Sequence, residues 1–310
     1  MIYTITLNPS LDKTVVVKNL VFEDVNRVEK IYTDPGGKGI NVSRVIHKFR
    51  GDTTSSGLLG GYTGEHIEKL LIKKGINTDF VYTKGETRTN ILIFDTGRHT
   101  QAKINEPGPL ISANEIDLLL QKILSLSLKV RILVLAGSIP PGVPLDIYCK
   151  IIKICHRKNI LTILDADTEA LKFGIKANPF LIKLNIHEIE RLLGKKLFSK
   201  TSLIEGARTL SKMGIKIVVV SQGEKGVIVV KDNHIWESTP PKVQVSSTVG
   251  AGESFLAGFS LMLLQKKEME EVIRFATACG TAAVLTPGTK LCRKEDVESL
   301  LNKVRVKRID

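Results

Sequence analysis

Long apolar runs are missing from this 310-residue chain: no segment approaches the roughly 18 consecutive apolar residues that a membrane-spanning helix requires. The opening residues, Met1-Ile2-Tyr3-Thr4-Ile5-Thr6-Leu7, lack the basic region and small-residue cleavage site of a secretory signal, so a cytoplasmic protein is expected. Cysteine is scarce. Cys149, Cys155, Cys279 and Cys292 form no Cys-x-x-Cys pair and have no histidine at ligand spacing, which argues against a zinc site and a disulfide framework and predicts reduced, mostly buried thiols. The six histidines include no His-Glu-x-x-His pattern, and internal repeats and low-complexity tracts are absent.

What is present is enough apolar content, 43%, to bury a large core as one α/β domain, or as one domain with a small appendage. The formal net charge is +13, but the basic residues are spread along the chain, often as pairs such as Lys73-Lys74, Lys195-Lys196 and Lys266-Lys267. No nucleic-acid-binding motif accompanies them. Neither nucleic acid nor a membrane surface is therefore expected as a partner, which leaves small anionic substrates.

Short apolar segments alternate with segments of helical spacing. Ile2 to Leu7, Arg131 to Ala136, Ile160 to Leu164 and Lys216 to Val220 read as strands, while Lys38 to Phe49 and Glu65 to Lys74 read as helices. This pattern predicts a mainly parallel sheet covered on both faces. Two stretches break it: residues 14–18 with 27–33, and 89–95 with 100–105, read as β-ribbons without an intervening helix. They are expected to form a discontinuous β lid from about residues 12–33 and 87–105. Ligands in open α/β sheets bind beyond the carboxyl ends of the strands, where such a lid closes over them.

The residues with chemical potential fall at those strand ends. Ser247-Thr248-Val249-Gly250-Ala251-Gly252-Glu253-Ser254 runs into an apolar segment and reads as a glycine turn opening a buried helix. Its uncovered N–H groups make a seat for an anion, and Glu253 places a carboxylate beside that seat. Asp12, in Asn8-Pro9-Ser10-Leu11-Asp12, suits sugar hydroxyls or is an ordinary turn aspartate. In Gly36-Gly37-Lys38-Gly39-Ile40-Asn41 the glycines admit close backbone approach, Lys38 supplies a point charge, and Asn41 supplies a donor and an acceptor. Arg88 and Lys103 on the lid suit a phosphate monoester or protect a strand edge. Ser221-Gln222-Gly223-Glu224-Lys225-Gly226 reads as a nucleotide-facing turn. Asn185 and Glu188, three residues apart, either hold water around a magnesium ion or simply cap a helix.

Taken in order, Asn8-Pro9-Ser10-Leu11-Asp12, Gly36-Gly37-Lys38-Gly39-Ile40-Asn41-Val42, Thr87-Arg88-Thr89-Asn90, Ala136-Gly137-Ser138-Ile139-Pro140, Asn185-x-x-Glu188 and Ser247-Thr248-Val249-Gly250-Ala251-Gly252 resemble the ribokinase-like (PfkB) sugar kinases along nearly the whole chain. Thr87-Arg88-Thr89-Asn90, Asn105-Glu106-Pro107-Gly108-Pro109 and the glycine turn are most similar to those of 1-phosphofructokinases, with tagatose-6-phosphate kinases next. The resemblance implies one three-layer α/β/α domain over residues 1–310, a homodimer formed through the lid, and transfer of the ATP γ-phosphate to a ketose phosphate. Fructose 1-phosphate is the leading substrate and tagatose 6-phosphate the alternative. It further implies that Asp12, Gly37, Lys38 and Asn41 hold the sugar, Arg88 and Lys103 clamp its phosphate, and Ser138 lies near the same cleft. Lys183, Asn185, Ser221, Gly223, Gly226 and Thr248 would contact the nucleotide, Gly250, Ala251 and Gly252 would form the anion hole, and Glu188 would organise Mg2+ through water.

The chain departs from the family pattern in three places. Glu253 stands where an aspartate is the usual catalytic base, which sets the carboxylate about 1.5 Å further from the backbone and leaves open a sugar-phosphate-binding protein with weakened catalysis. Asp165-Ala166-Asp167-Thr168 replaces Asp-Thr-Ser-Gly, and Leu184 replaces a proline.

Overall fold

The computed structural model describes residues 1–166, 168–286, 288 and 290–310; Asp167 lies outside them. The chain opens with β1 (Ile2–Thr6), followed by the lid strands β2 (Ser10–Val17) and β3 (Val28–Gly36). Next come α1 (Lys38–Lys48), β4 (Thr53–Gly60), α2 (Gly61–Lys73) and β5 (Asn77–Thr83), then the other lid strands, β6 (Arg88–Asp95) and β7 (Thr100–Asn105). The alternation resumes with α3 (Ala113–Leu124), β8 (Ile132–Ala136), α4 (Ile147–Arg157), β9 (Leu161–Asp165), α5 (Thr168–Ile175), β10 (Leu181–Asn185), α6 (Ile186–Leu193), α7 (Lys200–Lys212) and β11 (Ile217–Ser221). The last third holds β12 (Val227–Lys231), β13 (His234–Thr239), α8 (Ala251–Leu264), α9 (Met269–Val284), α10 (Lys294–Leu301) and β14 (Arg305–Arg308).

Ten strands form the main sheet in the order β14-β13-β12-β11-β10-β9-β8-β1-β4-β5. Pairing is parallel from β5 to β11 and antiparallel from β11 to β14. Its central strands are buried on both faces, so they read as continuous apolar runs, and their alternation sorts the core into two layers. Leu133 and Leu135 pack with α3, α4, α5 and α7, whereas Ile132, Val134 and Ala136 pack with α1, α8, α9 and α10. After β1 the chain builds outward to β4 and β5 on one side; later it returns on the other side through β8 and onward. The crevice at the carboxyl ends of β1 and β8 is therefore the switch point where ligands settle in open α/β sheets.

The lid is a separate four-stranded sheet, β3-β2-β6-β7, close to the expected boundaries. Asp95 ends β6 as a turn residue: its carboxylate accepts N–H bonds from Asn19, Leu20, Gly97 and Arg98. The β2–β3 and β6–β7 registers place Asp12, Thr14, Tyr32, Arg88, Asn90, Leu92 and Lys103 on one lid face. That face meets the main body: Lys290 lies 5.0 Å over the Tyr32 ring.

Helix α2 begins at Gly61, four residues before the expected Glu65. Its cap comes from outside, since the Glu86 carboxylate accepts the N–H groups of Tyr62 and Thr63 at 3.2 and 2.7 Å. A turn-like Gly-Gly-Tyr-Thr-Gly run can therefore be helical. All four cysteines are free, three of them buried. No helix among the described residues is long and apolar enough to cross a membrane.

Candidate active site

The site is assembled around the N-terminus of α8. Gly250 adopts a left-handed conformation, φ 81°, that favours glycine; a β-carbon there would also lie 2.8 Å from Leu291. The N-cap residue, Gly250, supplies no side-chain cap, so the N–H groups of Ala251 and Gly252 are left for a ligand, while that of Glu253 turns to its own carboxylate. At Gly252 a β-carbon would lie 3.1 Å from Lys183 Nζ, so this ammonium stands directly against the glycine turn. Ser247 ties the approach to the helix down, accepting from Val249 N–H at 3.2 Å and donating to Gly288 O at 3.2 Å. Thr248 is exposed on the same turn.

Glu253 is half-buried in the first turn of α8. Burial pushes its carboxyl above the ordinary glutamate value of 4.5, the nearby Asp165 charge adds to that, and Lys38, Lys183 and its own backbone N–H oppose it. Lys38 is the first residue of α1, following Gly37, whose φ of 109° again favours glycine. Its ammonium lies 2.9 Å from Asp165 Oδ1, and Lys183 Nζ lies 3.4 Å from Asp165 Oδ2. Burial alone would raise the Asp165 pKa, but the two lysines outweigh it and hold the carboxyl down to about 2. The lysines of two distant motifs and the Glu253 carboxylate thus come together at one point.

The lid supplies the other half. Asp12 accepts from Ser10 Oγ at 2.7 Å and Asn90 Nδ2 at 3.1 Å, while burial raises its pKa against the pull of Arg44 and Arg88. Arg44 is 7% exposed and anchors the glycine-lysine loop: it donates to Pro35 O and Asn41 Oδ1, each at 2.9 Å, and to Asp34 Oδ1 at 2.6 Å. Asn41 is accordingly buried with its carbonyl oxygen engaged. Arg88 donates to Asn8 O at 2.9 Å, Glu106 O at 2.8 Å and Pro9 O at 3.4 Å, so it braces the Asn8-Pro9 turn and keeps one N–H on each terminal nitrogen for a ligand. Ser138, exposed at the end of β8, accepts from Asn8 Nδ2 at 3.3 Å. Lys103 is exposed on β7, on the same lid face as Asp12. Three buried side-chain oxygens here, Asn8 Oδ1, Thr14 Oγ1 and Asn90 Oδ1, have no hydrogen-bond partner among the described residues.

Other expected residues prove to have structural duties. Asn185 and Glu188 form a reciprocal capping box at the start of α6, at 2.9 and 2.8 Å. Capping therefore uses Asn185 Oδ1 and Glu188 Oε2, and leaves Glu188 Oε1 without a partner among the described residues. Burial pushes the Glu188 carboxyl up. Ser221 pairs in register with Asn185 and donates to Leu184 O at 3.2 Å, which sets the two side by side at the strand ends. Gly223 is exposed in a short 3-10 turn, Gly223–Lys225. Gly226 is buried instead, with Ser238 O against the position a β-carbon would take, so packing beneath β13 accounts for this glycine without a ligand. Among the described residues no group of three or more His, Cys, Asp or Glu side chains is arranged to hold a metal.

Asp165, Arg44, Ser10 and Asn90 belong to the site although sequence reasoning gave them no role. The available signal for Asp165 was its position at the carboxyl end of a central strand; a partner 127 residues from Lys38 leaves no trace in local spacing.

Comparison with known proteins shows the family. The pattern of the pfkB family carbohydrate kinases matches residues 6–296. The chain is 36% identical over 310 residues to the 1-phosphofructokinase of Borreliella burgdorferi, covering 100% of this chain and 99% of the relative. It is 31% identical over 309 residues to the tagatose-6-phosphate kinase of Staphylococcus epidermidis, covering 99% of each. The crystal structure of phosphofructokinase-2 from Escherichia coli in complex with fructose-6-phosphate superposes with a TM-score of 0.91 at 31% identity, covering 97% of this chain and 98% of that one.

Proposed function

The chain belongs to the pfkB family of carbohydrate kinases, with a ribokinase-like fold and sugar-phosphate kinase activity, and from that premise we propose that it phosphorylates fructose 1-phosphate with ATP to give fructose 1,6-bisphosphate. The observation that carries the chemistry is the uncapped N-terminus of α8 with Glu253 in its first turn and two lysines beside it. Phosphoryl transfer needs positioning, cations, donors aimed at the transferring group and a base at the attacking hydroxyl. In this reading the N–H groups of Ala251 and Gly252 receive the γ-phosphate, Lys38 and Lys183 neutralise its charge, and Glu253 takes the proton of the sugar hydroxyl. Strands β10 and β11 present Lys183, Asn185 and Ser221 to the nucleotide, with Gly223 from the turn after β11 and Thr248 from the glycine turn.

The lid face receives the sugar phosphate. Asp12 and the unpaired oxygens of Asn8, Thr14 and Asn90 suit a ligand rich in hydroxyls, because buried polar atoms without partners are costly. Arg88 and Lys103 suit its phosphate. Replacing either Arg88 or Asp12 with alanine is expected to raise KM for the sugar phosphate about 10- to 100-fold with KM for ATP little changed, the size of one lost charge-assisted hydrogen bond. Steady-state kinetics in both substrates read this, and equal losses for the two would contradict the division of the cleft.

The Glu188 oxygen left over from capping suits Mg2+ held mainly by nucleotide phosphate and water. The ion would neutralise charge on the transferring phosphates. Substrate choice is read by a panel of fructose 1-phosphate, tagatose 6-phosphate, fructose 6-phosphate and ribose. The highest kcat/KM is expected for fructose 1-phosphate, and a higher value for tagatose 6-phosphate would reassign the enzyme.

The whole chain acts as one domain that pairs through its lid. The lid face opposite Asp12 carries Val15, Ile31, Ile91, Ile93 and Ile104, with Ile31 and Ile104 each 53% exposed, a surface a second copy would cover. Sedimentation is expected to give a dimer that Ile31→Asp converts to a monomer.

A further inference from the structure

Two lysines from motifs far apart in the chain share one buried carboxylate. Asp165 closes β9 and is 1% exposed; Lys38 holds one of its oxygens at 2.9 Å and Lys183 the other at 3.4 Å. Lys38 opens the sugar-side helix α1, and Lys183 comes from the nucleotide-side strand β10. Their stems are placed as well: Lys183 Nζ lies against Gly252, and Lys38 Cβ lies 3.8 Å from the position of a β-carbon on Gly137, at the end of β8. The Lys183 ammonium is thereby directed to the mouth of α8, and the Lys38 charge is felt there by Glu253.

We propose that Asp165 is a positioning residue for phosphoryl transfer, a clamp that fixes Lys38 and Lys183 on its two oxygens and joins the sugar and nucleotide halves of the cleft. Two ammonium groups against one carboxylate leave a net positive charge facing the transferring phosphate. Lysine carries its charge on a flexible four-carbon stem, so without the clamp both groups can swing away and each faces the other's like charge. The catalytic consequence rests on the kinase reading above, whereas the ion-pair arrangement stands on the geometry alone.

The groups facing Lys38 are Asp165 from β9, Glu253 from α8, Glu188 from α6, Lys183 from β10 and the Tyr148 hydroxyl from α4. Asp165 dominates; its charge drives Lys38 above the ordinary lysine value of 10.5, with help from Glu253 and Glu188 and against burial. Burial pushes both glutamates toward the neutral form, so they are poor substitutes. Removing the Asp165 charge must lower the pKa of Lys38.

The test is the pH dependence of Lys38 acylation by acetic anhydride in the ligand-free protein, read by mass spectrometry of the Lys38 peptide. The parent is expected to show a midpoint above 10.5 and Asp165→Asn a midpoint lower by about one to three pH units, as for loss of an adjacent opposite charge. An unmoved midpoint would overturn the clamp. Should Asp165→Asn fail to fold, Lys183→Met tests the same arrangement: with Asp165 left to Lys38 alone, the midpoint stays or rises, and a fall would overturn the proposal. In the assay, Asp165→Asn is expected to lower kcat about 10- to 100-fold, as for a small misplacement of catalytic groups, with smaller changes in both KM values. A midpoint that moves in a protein without turnover upholds the clamp and removes the kinase reading. Turnover with an unmoved midpoint does the reverse.

Discussion

Glu253→Gln is expected to lower kcat about 10³-fold, the scale of losing a positioned general base, with KM for either substrate changed by less than about tenfold. The amide keeps the size and hydrogen-bonding reach of the carboxylate but cannot take a proton. Since burial disfavours the ionised acid in the folded state, removing that acid relieves a penalty at neutral pH, so thermal stability should hold or rise. A fall in rate therefore cannot be ascribed to unfolding. The pH profile gives a second reading. The base works ionised, so kcat/KM is present above the Glu253 pKa and is lost as pH falls through it, and that acid limb should lie above 4.5. Lys38 holds the value down, so Lys38→Met should move the limb further up. Glu253→Asp keeps the charge but draws it back about 1.5 Å; a misplacement of about 1 Å costs on the order of 100-fold, so this variant should fall below the parent and above Gln. An increase over the parent would show that the glutamate is a lesion in the site.

Gly252→Ala is expected to separate stability from activity. The helix gains a better former than glycine, worth up to about 1 kcal/mol, and the added methyl meets only the flexible end of Lys183, at 3.1 Å. The fold should persist with an equal or higher melting temperature. Yet the methyl occupies the anion seat and displaces a lysine that faces the phosphate, so kcat/KM for ATP should fall about 100-fold, the cost of losing one preorganised donor. A variant as active as the parent would place the γ-phosphate elsewhere.

Local pattern carried much of this site. The helix starting at Lys38, the glycine turn before α8 and the lid strands were legible because helical spacing, φ-permissive glycines and alternating strands are properties of neighbouring residues. What stayed hidden depends on distance. Asp165 acquires its role from lysines on two other elements, Arg44 from burial among Pro35, Asn41 and Asp34, and Asn90 from the register that sets it opposite Asp12. The early start of α2 was hidden for the same reason, its cap being Glu86, beyond the end of β5. Arg88 shows the opposite limit: its charge was legible, but its bonds to the carbonyls of Asn8, Pro9 and Glu106 were not.

The most direct measurement is 31P NMR of the purified protein with Mg-ATP and fructose 1-phosphate, followed over time. ADP and a second sugar phosphomonoester are expected to appear in equal amounts, with Glu253→Gln silent on the same timescale. Fructose 1-phosphate that binds tightly in calorimetry yet leaves the ATP signals unchanged would contradict the kinase reading, and would identify a sugar-phosphate-binding protein built on a kinase fold.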